Sequence, residues 1–234
     1  MPIEFIRTIS DGKKIYGVLH LPRNPLPSCV IASHGLFSSK ESEKFVAIGE
    51  FFSANGIAVI RYDHQGCGES EGEIAETTAS ARIRDLDAIV ELAVNHPLLG
   101  HSIGLLGSSM GGFISLFKGA RDPRVKVLTV WATPSPLGGG RNKMQEGDPP
   151  LDEAFYEDVT RYDAREVITG IAHCLILHGE TDELVPVSQA EELYKFARHP
   201  KHLEVFDGGD HRFTDPRHRR RAIELSLDWF KKYL

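Results

Sequence analysis

Cysteine is scarce and poorly placed for cross-linking. The chain has three, Cys29, Cys67 and Cys174, an odd number with no Cys-x-x-Cys pair, which argues against a disulfide framework and against a zinc site. Cys29 and Cys174 fall in apolar, strand-like runs and read as core. Cys67 stands in a glycine-rich stretch without a basic neighbour at fixed spacing, the setting of an inert thiol. Long apolar runs are missing as well. Nothing approaches the roughly 18 residues that suggest a membrane-spanning helix, and the start, MPIEFIRTISDGKK, interrupts its apolar residues with Glu4, Arg7 and Asp11, so it lacks the apolar core of a signal peptide. Both features lead us to expect a cytoplasmic protein. Positive charge is not in excess either: 27 Lys and Arg face 33 Asp and Glu, a formal net charge of -6. That leaves no basic face for nucleic acid and turns attention to a small-molecule partner. No cluster has metal-ligand spacing, and Gly66-x-Gly68 lacks the rest of a dinucleotide fingerprint. The formation of a homo-oligomer is left open.

What is present is an ordinary globular composition, 41% hydrophobic and 26% charged over 234 residues, enough for one large α/β domain. EFIRTI and IYGVLHL, separated by Asp11-Gly12, read as an antiparallel hairpin. CVIASHG, IAVIRYD, SIGLLGS, VKVLTVWA, CLILHGE and LEVF then follow as short, Val/Ile/Leu-rich runs, the signature of parallel strands covered on both faces. Helical periods separate them. The clearest has Ile83, Leu86, Ile89, Val90, Ala93 and Val94 on one stripe, with Arg82, Arg84, Asp85 and Glu91 off it, and the last carries Ala222, Leu225, Trp229 and Phe230. Strand-helix alternation of this kind builds a doubly wound sheet with right-handed crossovers. One stretch is too long for a crossover. Residues 136 to about 172, opened by Gly138, Gly139 and Gly140 and broken again by Pro149-Pro150, read as a small lid inserted in a single domain spanning 1–234.

Chemistry concentrates at LLGSSMGGF, where a buried strand meets a helix. A serine hydroxyl is a poor nucleophile until it is held clear of the backbone and beside a base. A sharp strand-turn-helix elbow does the holding, and it needs glycine two positions before and after the central residue. Gly107 and Gly111 flank Ser109 in this way, whereas Ser108 would have Leu106 and Met110. Ser109 is therefore the candidate nucleophile and Ser108 a filler or supporting hydroxyl. The base and its orienting carboxylate should come later, from loops at the strands' C-terminal ends. GETDELVP offers Asp182, with Glu180 and Glu183 as rivals, and DGGDHRF offers His211. Asp210 reads as a turn residue.

These segments together resemble the α/β-hydrolase superfamily over essentially the whole chain. The likeness is strongest to small-lid serine esterases, among them feruloyl (cinnamoyl) esterases and monoacylglycerol-lipase or serine-aminopeptidase-like hydrolases. It is carried by SHGLFSS, RYDHQGCGESEG with Asp63, Gly66, Gly68 and Ser70, GSSMGG, HGETDELVP and GGDHRF. The resemblance implies an α/β-hydrolase fold: a mostly parallel eight-stranded sheet with an N-terminal antiparallel hairpin, helices on both faces and a small lid insertion. It implies a Ser109 nucleophile, a His211 general base and an Asp182 orienter, with an oxyanion hole from the Leu36 and Met110 N–H groups and His34 positioning the oxyanion loop. The expected reaction is hydrolysis of a small-molecule carboxylic ester through an acyl-enzyme, without a cofactor. An aminopeptidase or thioesterase using the same triad, or a non-catalytic small-molecule receptor, stands as the alternative. The acidic residues Glu146, Asp148, Asp152, Glu153, Glu157 and Asp158 read as a solvated lid surface rather than a site for a substrate amine. Arg217 to Arg221 read as the solvated face of a helix rather than a grip on a phosphorylated substrate.

Overall fold

The computed structural model describes residues 1–137 and 147–234. Gly138, Gly139, Gly140 and Glu146 lie outside the described residues. β1 (Ile3–Ser10) and β2 (Lys13–His20) form the N-terminal hairpin, with Ile3 opposite His20 and Ser10 opposite Lys13. Asp11 and Gly12 turn it with φ of 47° and 75°, the two positive values that a two-residue loop needs to match strand twist.

The remaining strands are β3 (Cys29–Ser33), β4 (Ala58–Tyr62), β5 (Ile103–Ser108), β6 (Val125–Trp131), β7 (Cys174–Gly179) and β8 (Lys201–Phe206). The sheet runs β1-β2-β4-β3-β5-β6-β7-β8, antiparallel through β2 and β4 and parallel from there to β8. β3 to β6 and β7 are nearly wholly buried, which is why they lack the in-out alternation of β1. After β3 the chain moves to β4 on one side, then crosses back to β5 on the other. The crevice at this reversal, beyond the strands' carboxyl ends, is where such sheets bind ligands.

The helices are α1 (Glu43–Ala54), α2 (Ala79–Val94), α3 (Met110–Arg121), α4 (Glu153–Val159), α5 (Ala164–Ile168), α6 (Val187–Phe196) and α7 (Pro216–Tyr233). One core cluster joins the sheet to α2, α3 and the short helices, and a second joins it to α1 and α7 through residues such as Phe45, Phe52, Trp131 and Phe230. The long stretch after β6 supplies α4 and α5, whose Phe155, Val159, Ala164 and Ile168 enter the first cluster. Asp158 ties α4 to the start of α2, accepting from the Ser80 N–H at 2.8 Å and the Ser80 hydroxyl at 2.6 Å.

Two features of α2 differ from the helical wheel. Its buried face contains Arg82 and Asp85 together with Leu86, Ile89, Val90 and Ala93, whereas Ile83 and Val94 are half-buried. Arg82 and Asp85 are a turn N-terminal to Leu86 and Ile89 on one stripe, and both are buried because partners from other loops meet them there.

Candidate active site

The glycines around Ser109 are required by contact. A Cβ on Gly107 would lie 2.3 Å from the Gly111 carbonyl oxygen, and one on Gly111 would lie 2.0 Å from the Ser33 carbonyl oxygen. No side chain fits in either gap, so β5, α3 and the end of β3 approach closely and the chain between them must turn sharply. Ser109 sits at the turn with φ 55° and ψ -122°, a strained conformation for a residue with a side chain. Met110 opens α3, so its N–H belongs to the first turn, where donors have no intrahelical partner and the dipole favours negative charge. Gly35 lies across from the elbow: a Cβ there would be 3.4 Å from Ser109 Cβ.

Asp182 and His211 meet at the ends of β7 and β8. The imidazole Nδ1 is 2.9 Å and 2.8 Å from the two Asp182 oxygens. Asp182 Oδ1 also accepts the Leu184 and Val185 N–H groups at 2.9 Å and 2.7 Å. Burial alone would raise this carboxyl, but hydrogen bonds from His178 and His211 and from the Val185 N–H hold it well below the usual carboxylate range. The carboxylate therefore stays charged against the ring. Of its two rivals, Glu180 accepts the Gly208 N–H at 3.0 Å and Glu183 accepts the His211 N–H at 3.2 Å. Both shape the loop, and Asp182 faces the imidazole. Asp210 accepts the Thr214 N–H at 2.9 Å, as a turn residue does. Ser109, His211 and Leu36 line one cavity of about 350 Å³.

The loop that carries Gly35 and Leu36 is pinned by buried groups that helical and strand periods did not reveal. The His64 N–H donates to His34 Nε2 at 3.1 Å, which leaves His34 Nδ1 to donate to the Gly35 carbonyl at 2.7 Å. Burial, with His64 and Arg82 nearby, pushes His34 well below the usual imidazole range, so it stays neutral in that tautomer. Arg82 donates to the Leu36 carbonyl at 2.8 Å, the Gly35 carbonyl at 3.3 Å and the Thr77 hydroxyl at 2.9 Å. Asp85 accepts the Gln65 N–H at 2.9 Å. Lys40 and Asp63, a buried pair 2.7 Å apart, tie the far end of the same loop, before α1, to the end of β4. His178 completes the set: its Nε2 donates to the Val185 carbonyl at 2.8 Å and lies 3.3 Å from Asp182 Oδ2.

Cys67 does have a basic neighbour, since Arg82 Nη2 lies 3.3 Å from its sulfur. Burial outweighs that cation and raises the thiol, so the group stays protonated. Cys29 and Cys174 are buried, and burial pushes both thiols up to about 12. In the basic run, Arg217 and Arg220 are exposed and paired with Asp215 and Glu224, whereas Arg219 reaches the cavity wall. Among the described residues there is no His, Cys, Asp and Glu group that could hold a metal ion, and no helix is long and apolar enough to cross a membrane.

A mostly parallel sheet, a strained serine between a strand and a helix, and an Asp-His pair on the last two strand ends define an α/β hydrolase. Residues 25–151 match the Hydrolase_4 family, described as serine aminopeptidase, S33, and the chain belongs to that family. It is 28% identical over 181 residues to the mitochondrial palmitoyl-protein thioesterase ABHD10 of Mus musculus, covering 67% of this chain and 59% of that protein, so less than two thirds of the relative's length is spanned. It is 24% identical over 252 residues to the monoacylglycerol lipase of Mycolicibacterium smegmatis, covering 88% of each. The structure of Est1E from Butyrivibrio proteoclasticus with ferulic acid bound superposes with a TM-score of 0.85 over 97% of this chain and 99% of that one, at 21% identity. That likeness is one of fold.

Proposed function

We propose that the chain is a serine hydrolase that cleaves carboxylic esters through an acyl-enzyme. The observation that carries this reading is the positive-φ serine of the elbow lining one cavity with an imidazole whose other nitrogen faces a buried carboxylate. His211 takes the Ser109 proton as Oγ attacks the ester carbonyl, and gives it to the departing alcohol. Water then attacks the acyl group with His211 again as base, releasing the acid and restoring the hydroxyl. Asp182 fixes the imidazole tautomer and stabilises the imidazolium, and the Leu36 and Met110 N–H groups receive the oxyanion.

A thioester is a second substrate class for the same groups, and the ABHD10 relative is named a thioesterase. Release of an amino acid is disfavoured by the cavity, where Lys44, Arg212 and Arg219 outnumber Glu43 and Asp148 and would repel a substrate ammonium.

The test is turnover of p-nitrophenyl butyrate, its thioester and an amino-acid anilide by the wild type and by Ser109→Ala, His211→Ala and His218→Ala. Ester turnover should fall about 10³-fold or more in the first two variants and persist in the third, because His218 stacks on Phe206 away from Asp182. An active Ser109→Ala or His211→Ala enzyme would overturn the assignment.

A further inference from the structure

Lys44 has no part in the chemistry above, yet it lines the Ser109 cavity. Its ammonium reaches back from α1 to the Ser108 hydroxyl at 2.7 Å, its hydrogen-bond partner among the described residues. The nitrogen also lies over the rings of Phe45 and Trp131, 5.7 Å from each centroid, within cation–π range. Lys44 is half-buried; the more deeply buried Lys40 and Lys118 have carboxylates, Asp63 and Asp122, each at 2.7 Å. Lys44 has none within ion-pair distance among the described residues. Arg219, on the same wall, is engaged by Glu43 at 2.9 Å. A second group points the same way, because the Ser42 hydroxyl lines this cavity, is buried and has no hydrogen-bond partner among the described residues. Buried polar groups ordinarily find partners.

We propose that this cavity accepts esters whose acyl group ends in a carboxylate, with Lys44 receiving the carboxylate and the Ser42 hydroxyl adding a donor. The inference rests on the ester-hydrolase reading of Ser109. The distance suits a short chain. Lys44 Nζ is 2.7 Å from Ser108 Oγ, and Ser108 and Ser109 are adjacent, so Nζ is no more than about 11 Å from the nucleophile by standard covalent lengths. A half-ester of a short dicarboxylic acid spans that gap. The acyl portion is the part that stays on Ser109 through both half-reactions, so a cation rooted beside the nucleophile acts on it throughout. A single ammonium without a carboxylate partner matches a carboxylate's one charge.

The setting of Lys44 agrees with an anion as its missing partner. Burial, then Arg219 and Arg212, lower this lysine to about 8, with Asp210 opposing them. A bound carboxylate reverses the imbalance.

The experiment compares mono-p-nitrophenyl glutarate with p-nitrophenyl glutaramate, its uncharged isostere, so that the leaving group is constant. Wild-type kcat/KM should favour the glutarate by about tenfold or more. Lys44→Met should reduce that ratio about tenfold, mainly through KM, and Lys44→Arg should keep most of it. A ratio near one in the wild type, or an unchanged ratio in Lys44→Met, would overturn the proposal while leaving ester hydrolysis in place. If neither ester were turned over, the ester-hydrolase reading would fail first, and calorimetric binding of free glutarate to wild type and Lys44→Met would still decide the role of Lys44. Should Lys44→Met not fold, competition in the wild type decides: glutarate should bind about tenfold tighter than glutaramide and than inorganic phosphate. Equal binding of glutaramide would remove the anion site, and phosphate binding as tightly as glutarate would overturn the carboxylate assignment.

Discussion

Three effects oppose the charge on Lys44. It lies in the first turn of α1 (Glu43–Ala54), where the helix dipole repels cations. It is desolvated, and Arg219 of α7 and Arg212 of the loop between β8 and α7 lower it further. The other charged and polar groups around it are Asp210, Glu43, Asp148, His211 and the Ser108 hydroxyl. A lysine lowered from 10.5 to about 8 binds its proton less readily folded than unfolded, so its cost to folding is full below pH 8 and vanishes as pH rises past 10.5. The drop corresponds to about 3 kcal/mol, of which the Ser108 hydrogen bond returns about 1 kcal/mol. Lys44→Met should therefore be about 1–2 kcal/mol more stable than the wild type at pH 7, with the gap closing by pH 10. Urea denaturation at both pH values checks this, and a less stable variant at pH 7 would show that Lys44 is satisfied within the fold.

At the scale of elements, α2 (Ala79–Val94) acts as a clamp on the loop between β3 and α1. Replacing Arg82 by Met removes the guanidinium donor from the Leu36 carbonyl and the Thr77 hydroxyl and leaves the Gly35 carbonyl with His34 alone, at a cost of about 2–4 kcal/mol. The loop that carries the Leu36 N–H then loses its fixed position, so kcat on p-nitrophenyl butyrate should fall about 10- to 100-fold with a smaller change in KM. Lys at position 82 cannot supply the forked donors and should recover stability better than rate. A lower urea midpoint with unchanged kcat would confine Arg82 to a structural part. The same helix shows what the sequence made legible. Strand runs, the hairpin turn and the glycine spacing around Ser109 are local signals, and each appears where expected. Arg82, Asp85, Lys40, His178 and Lys44 were not legible as site-building residues. Polarity reads as solvent-facing, and the placement of Arg82, Asp85, Lys40 and Lys44 depends on partners 20 or more residues away, that of His178 on the loop that follows its own strand. Among Glu180, Asp182 and Glu183 the resemblance carried by HGETDELVP singles out Asp182, and the loop turns that carboxylate toward His211.

For the whole molecule, α7 (Pro216–Tyr233) is the element that closes the sheet. Phe230 is fully buried and packs edge-to-face on Phe52 of α1 at 5.9 Å. It also fills the space over Gly104 in β5, where an added Cβ would lie 2.6 Å from the ring. The N-terminal third, the central strand and the last helix thus share one packing point, which ties the two ends of the chain into one cooperative unit. Phe230→Ala should cost about 3–5 kcal/mol, and Gly104→Ala, by overpacking, about 1–3 kcal/mol. Because the methyl occupies part of the hole that the ring leaves, the double variant should be more stable than the sum of the two losses by about 1 kcal/mol or more. Circular dichroism and the fluorescence of Trp131 and Trp229 follow the two sides of the closure, since Trp131 ends β6 and Trp229 lies in α7. Both probes should report a single transition with the same midpoint in the wild type and in each variant. Separate midpoints would mean that α7 detaches before the sheet unfolds, and strict additivity would mean that Phe230 and position 104 do not share the contact that closes the molecule.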